Sequence, residues 1–140
     1  MLSVKRLSHE DAAVMIEAAE KMAAEIAVPM CIAVTDESGA LIMFSRMDGG
    51  KFSSIRIAID KAFTAAAARN PTSFYSEICR PGHPTFGIHV TNEGHFCVIG
   101  GGVPVLSNGV VVGAIGVSSG TPDQDIVVAE AGVSAMDGRL

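Results

Sequence analysis

Apolar positions recur along this chain in two rhythms, one of helical period and one of strand period. Val14, Met15, Ala18, Met22 and Ile26 fall at helical spacing and predict a helix over residues 8–26. Ser8 is placed to cap it, with Glu10 and Asp11 in the first turn facing the positive end of the helix dipole. Pro29 stops the segment. Residues 30–35 and 41–47 read as two strands, joined by the turn chemistry of Asp36-Glu37-Ser38-Gly39, and together predict a β-hairpin. A second helix is expected over residues 53–69, with Ile55, Ile59, Ala62, Phe63 and Ala66 on one face. Asn70-Pro71 ends it, because the residue before proline is pushed out of the helical region. Residues 72–79 read as a short third helix.

Residues 80–94 are the least regular part of the chain and hold Pro81, Gly82, Pro84 and Gly87 together with His83 and His89. A loop of this length in a small domain is often functional. Residues 96–99 and 103–106 read as one strand path interrupted by Gly100-Gly101-Gly102. Asn108-Gly109 is a strong hairpin signal, and residues 110–118 return as a very apolar strand. Gly113 and Gly116 within that strand predict close approach by another backbone or a ligand. Thr121-Pro122-Asp123-Gln124 is a capping-box helix start, and the last helix is expected to reach Met136. The order helix, hairpin, helices, hairpin, helix predicts an α/β (α+β) fold, an antiparallel sheet of four or five strands with helices packed on it. Residues 1–140 read as a single domain.

Composition narrows the function classes. The chain has 140 residues, 49% of them apolar, enough for one packed core. Its formal net charge is −5 and its basic residues are scattered, which argues against nucleic acid and anionic membrane as partners. No apolar run approaches a membrane span, and the N-terminus shows no signal-peptide pattern. Cys31, Cys79 and Cys97 form neither a disulfide framework nor a zinc signature. Cys31 and Cys97 lie in apolar runs and are expected to be buried thiols. A cytoplasmic location fits this cysteine usage.

The leading polar candidates are Arg46, Asp48 and Lys61. Arginine suits bidentate binding of a carboxylate or phosphate. Lys61 lies on a mostly apolar helix face, where it either snorkels or meets an anion. Two readings stand side by side: a ligand site for an anion, or an internal salt-bridge network among Arg46, Asp48, Asp60 and Lys61. Gly101 and Gly102, with Gly100, form either a bend in the sheet or a flat backbone wall against a bound ring. The histidines are His9, His83, His89 and His95, and none falls in a zinc-hydrolase spacing. Any one of the four could be an axial ligand to a haem or cobalamin metal, with His83 and His89 favoured by the Gly/Pro-rich loop and His9 by its place at the first helix. His89, His83 and Asp48 are candidate proton carriers if the protein is an enzyme. Cys79 beside Arg80 is a weak nucleophile signal, and no GxSxG elbow exists.

Several segments carry a resemblance in their order and spacing: Arg46-Met47-Asp48-Gly49, Ile59-Asp60-Lys61-Ala62 with Thr64-Ala65-Ala66, Gly101-Gly102-Val103-Pro104, Gly113-Ala114-Ile115-Gly116-Val117-Ser118, and Gln124-Asp125. With these the chain resembles the GlcG/HbpS family of small haem-binding-like proteins, which includes the C-terminal domain of PduO-type proteins. The resemblance implies a profilin-like fold, a homo-oligomer, and a small-molecule ligand related to haem or cobalamin. It also implies a first-helix histidine as one type of haem ligand, a place only His9 could take here. Three functions are therefore expected in competition: a binding protein for a planar anionic molecule, an isomerase, tautomerase or lyase acting on a small acid, and an oligomeric accessory protein without a ligand.

Overall fold

The computed structural model describes residues 1–140. Helix α1 (His9–Glu25) leads into strands β1 (Cys31–Asp36) and β2 (Leu41–Arg46), then helix α2 (Ser53–Ala68). A 3-10 turn (Thr72–Phe74), the short helix α3 (Tyr75–Ile78) and two more 3-10 turns (Ile88–Val90, Asn92–Gly94) follow. Strands β3 (Gly102–Ser107) and β4 (Val110–Ser118) and helix α4 (Pro122–Ser134) complete the chain. The expected α/β arrangement is present, with four strands in one antiparallel sheet of order β2-β1-β4-β3. Two hairpins thus lie side by side, joined through the central β1–β4 pair.

Local chemistry sets the boundaries. Ser8 caps α1 in a capping box closed by Asp11, and Thr121 caps α4 in a box closed by Gln124. In the first hairpin the Asp36 carboxylate accepts from Ser38 N at 2.9 Å and Ala40 N at 3.1 Å, and Gly39 takes φ +89°. In the second, Asn108 and Gly109 take φ +51° and +79°, the left-handed pair that a two-residue hairpin needs.

The pleat sorts large side chains from small. Ile32 and Val34 of β1, with Ile115 and Val117 of β4, face α1 and α4 and join Met15, Ala19, Met30, Val128 and Met136 in the main core. Cys31 and Ala33 turn to the opposite face and meet Ala58 and Ala62 of α2. A β-carbon at Gly116 would overlap the Ala58 carbonyl oxygen and the Ala62 nitrogen, so the close approach expected there is by the α2 backbone.

Four expectations are corrected. The buried residues of α2 are Ser54, Ala58, Lys61, Ala62, Thr64, Ala65 and Ala66, so Ala62 and Ala66 are buried as expected while Ile55, Ile59 and Phe63 are only half-buried. Small residues win this face because they let the helix backbone sit down on Gly116. On α1 the buried residues are Ala12, Met15, Ile16, Ala19 and Ala23, so Val14, Ala18, Met22 and Ile26 flank the contact line. Residues 96–99 are not a strand: they run over α2, held by Cys97 N donating to Thr64 Oγ1 at 2.8 Å and Ser76 Oγ donating to Val98 O at 2.9 Å. Phe96 anchors them edge-on against Tyr75, with ring centres 4.9 Å apart. Cys31 is buried as expected, but Cys97 is only half-buried because its segment lies outside the sheet.

Candidate functional site

Helix α2 presents Arg56, Ile59, Asp60 and Phe63 at i, i+3, i+4 and i+7, a single stripe that is half charged and half apolar. The first hairpin turn packs over one end of the stripe, with Gly39 against the Phe63 ring. Asn92, Glu93 and His95 close over the other side, leaving an open cleft of about 380 Å³. The chain reaches this position through three consecutive left-handed residues, Asn92 (φ +52°), Glu93 (φ +58°) and Gly94 (φ +79°). Non-glycine residues rarely hold that conformation, and strain of this kind gathers at functional sites.

His95 is the best-defined group in the cleft. Its Nδ1 lies 3.0 Å from Asp60 Oδ1, with side chains 43% and 15% exposed respectively. The other ring nitrogen, Nε2, has no protein partner. Burial pushes the Asp60 carboxyl above the ordinary carboxylate value, and the nearby His95 and Arg56 offset part of that rise. Thr64, one turn along α2, ties the segment down through a single oxygen. Its Oγ1 donates to Asp60 O at 2.7 Å and accepts from Cys97 N at 2.8 Å. Arg56 makes no ion pair and is exposed on the rim.

The residues singled out in the sequence lie elsewhere. Lys61 is 1% exposed and donates to Asp125 Oδ2 and to Val117 O, both at 2.9 Å. It meets an anion, as its apolar surroundings required, but the anion belongs to α4. Burial raises the Asp125 carboxyl, with Lys61 and the Gly120 amide pulling it back. The network expected among Arg46, Asp48, Asp60 and Lys61 does not form, because Lys61 pairs with Asp125 and Asp60 with His95. Arg46 lies over the Phe52 ring at 5.2 Å, and Asp48 is exposed beside it. The glycine wall is covered by protein: Gly101 abuts Val117 O and Lys61 Nζ, and Gly102 abuts Lys61 O and Thr72. His9, His83 and His89 are exposed and none has a carboxylate partner, although His89 tilts against Phe86 at 6.3 Å between ring centres. The sequence offers His95 only as one of four possible metal ligands and Asp60 only as a member of an ion-pair network, and it does not single out Arg56. The mixed stripe on α2 and the histidine directly after the irregular loop were the available signals.

A family profile described as "Haem degrading protein HbpS-like" matches residues 7–134. The chain belongs to the HbpS-like family. One relative, a 15.0 kDa protein of the dhaT-dhaS intergenic region of Citrobacter freundii, is 40% identical over 116 residues, 83% of this chain and 82% of that one. The crystal structure of Klebsiella pneumoniae protein ORFY superposes with a TM-score of 0.96 at 33% identity, covering 99% of this chain and 95% of that one. The crystal structure of a PduOC:haem complex superposes with a TM-score of 0.89 at 28% identity, covering 93% and 94%. This HbpS-like protein has no helix long and apolar enough to cross a membrane.

Proposed function

We propose that the chain binds a planar, carboxylate-bearing tetrapyrrole in the cleft between α2 and residues 92–95. One observation carries this reading: the cleft joins two apolar side chains, Ile59 and Phe63, to an unpaired cation, Arg56, while of its two carboxylates Asp60 is engaged by His95 and Glu93 is exposed to solvent. Such a pairing suits a flat ring with acidic substituents, the ring stacking on the wall and one carboxylate meeting the guanidinium. The relative solved with haem, and the family's description, point to the same ligand class. The cleft opens to solvent, so a macrocycle larger than it lies partly outside the protein. Haem, when bound, would supply an iron centre for redox chemistry. The chain's own part is to hold and orient the ring. Corrinoids, whose ring substituents are amides rather than free carboxylates, are the alternative occupant and would lie on the same apolar wall without the Arg56 ion pair. The free cysteines fit a reducing, cytoplasmic setting for such a role.

The test is absorbance titration of the purified protein with hemin and with metal-free protoporphyrin IX. Saturation at a fixed ratio per chain is expected, and Arg56→Ala should weaken both ligands by several-fold, on the order of 1 kcal/mol for an exposed ion pair. Linear, non-saturating absorbance with both ligands would overturn the proposal.

A further inference from the structure

No three His, Cys, Asp or Glu side chains converge in this chain as a ready-made site for a free metal ion. A metal already held by its own macrocycle asks for much less, since one axial nitrogen suffices. The protein offers one imidazole built for that task. Metal-binding histidines characteristically give their second ring nitrogen to a carboxylate, which fixes tautomer and ring direction and raises the basicity of the first. Only His95 among the four histidines has such a partner. It stands in the cleft beside the apolar wall, and its Nε2 is unclaimed.

We infer that His95 Nε2 is the axial ligand to the metal of a metallotetrapyrrole, with Asp60 and Thr64 as its positioning residues. The inference rests on the tetrapyrrole reading and deepens it, because it makes the site selective for a ring that carries a metal. Asp60 holds Nδ1 and so presents Nε2 to the ligand. Thr64 acts one step further out. Its hydroxyl joins the Asp60 carbonyl to the Cys97 amide, locking the helix turn that carries the carboxylate to the segment that carries the imidazole. The left-handed residues before His95 make this clasp necessary, since a segment in that conformation needs an external hold. Thr64 is wholly buried and does not line the cleft, so it reaches a ligand only through the residues it holds.

The experiment compares hemin, hydroxocobalamin and metal-free protoporphyrin IX on the wild type and on His95→Ala, Asp60→Asn, Thr64→Val and Thr64→Ser. The wild type is expected to prefer a metal-bearing ring, and the ring preferred identifies haem or a corrinoid as the occupant. His95→Ala should weaken that ring by about tenfold or more, with the loss expected when a ligand or its support is removed. It should shift the absorbance bands and the electron paramagnetic resonance signal, weaken protoporphyrin far less than the metal-bearing ring, and recover the bands on adding imidazole. Thr64→Val should weaken the metal-bearing ring and broaden the spectrum, while Thr64→Ser, which keeps the hydroxyl, should behave as wild type. Because His95 is nearly half exposed, His95→Ala is expected to fold even if Thr64→Val does not, and circular dichroism checks both. Equal binding of metal-bearing and metal-free rings, with spectra unmoved in His95→Ala, would overturn the inference and leave the tetrapyrrole reading standing. Absence of binding by every ring would take both down.

Discussion

Replacing Lys61 with alanine separates a structural lysine from a ligand-binding one. Its ammonium bridges α2 to Asp125 of α4 and to the Val117 carbonyl of β4, with side chains 1% and 3% exposed. Removing it leaves the Asp125 carboxylate buried with the Gly120 amide as its only remaining donor. Breaking a buried pair from one side costs about 3–5 kcal/mol, because the surviving charge is uncompensated. Against a total stability of roughly 5–15 kcal/mol, that is a large share. The melting temperature should fall by roughly 10–15 °C for a chain of this size. Urea unfolding followed by circular dichroism reads the loss directly. The deficit should shrink on acidification. A buried carboxyl with a raised pKa binds its proton more tightly folded than unfolded, so stability rises as pH drops from that raised value toward the ordinary carboxylate range. The double variant Lys61→Met with Asp125→Leu removes both charges and should regain most of the loss. A cost below about 1 kcal/mol, or a double variant no better than the single one, would refute the buried-pair argument. Unchanged stability with lost tetrapyrrole binding would return Lys61 to the ligand site.

Further outcomes follow from the same geometry. Gly116→Ala should destabilise by about 1–3 kcal/mol or more, because the new methyl collides with the α2 backbone, and thermal melting will show it. Met15→Ala should cost about 2–5 kcal/mol in urea titration, whereas Val14→Ala on the flank of α1 should cost well under half of that. Asp11 is held below the ordinary carboxylate range by its Ser8 hydrogen bonds. Its contribution is therefore present above that range and lost as pH falls through the depressed value; Asp11→Asn should lower stability by about 1 kcal/mol near neutrality and flatten that part of the pH–stability curve.

The sequence by itself determined what depends on neighbours along the chain. Both capping boxes, the Asp36 turn, the Asn108-Gly109 hairpin and the order of elements are set by contacts within a few residues. The family motifs were legible for the same reason, as short runs in fixed order. Tertiary structure alone decided which charges meet. Lys61 finds Asp125 64 positions away, and Asp60 finds His95 across 35, because the fold brings the start of α4 and the segment after the irregular loop to two neighbouring residues of α2. Hydrophobic periodicity also misjudged the buried face of α2. Ile59 and Phe63 are the more apolar residues, but burial there is governed by how closely the helix backbone can approach Gly116, which the small side chains of Ala58 and Ala62 allow. That rotation of the helix is what turns Ile59, Phe63, Asp60 and Arg56 outward together and makes a cleft of them.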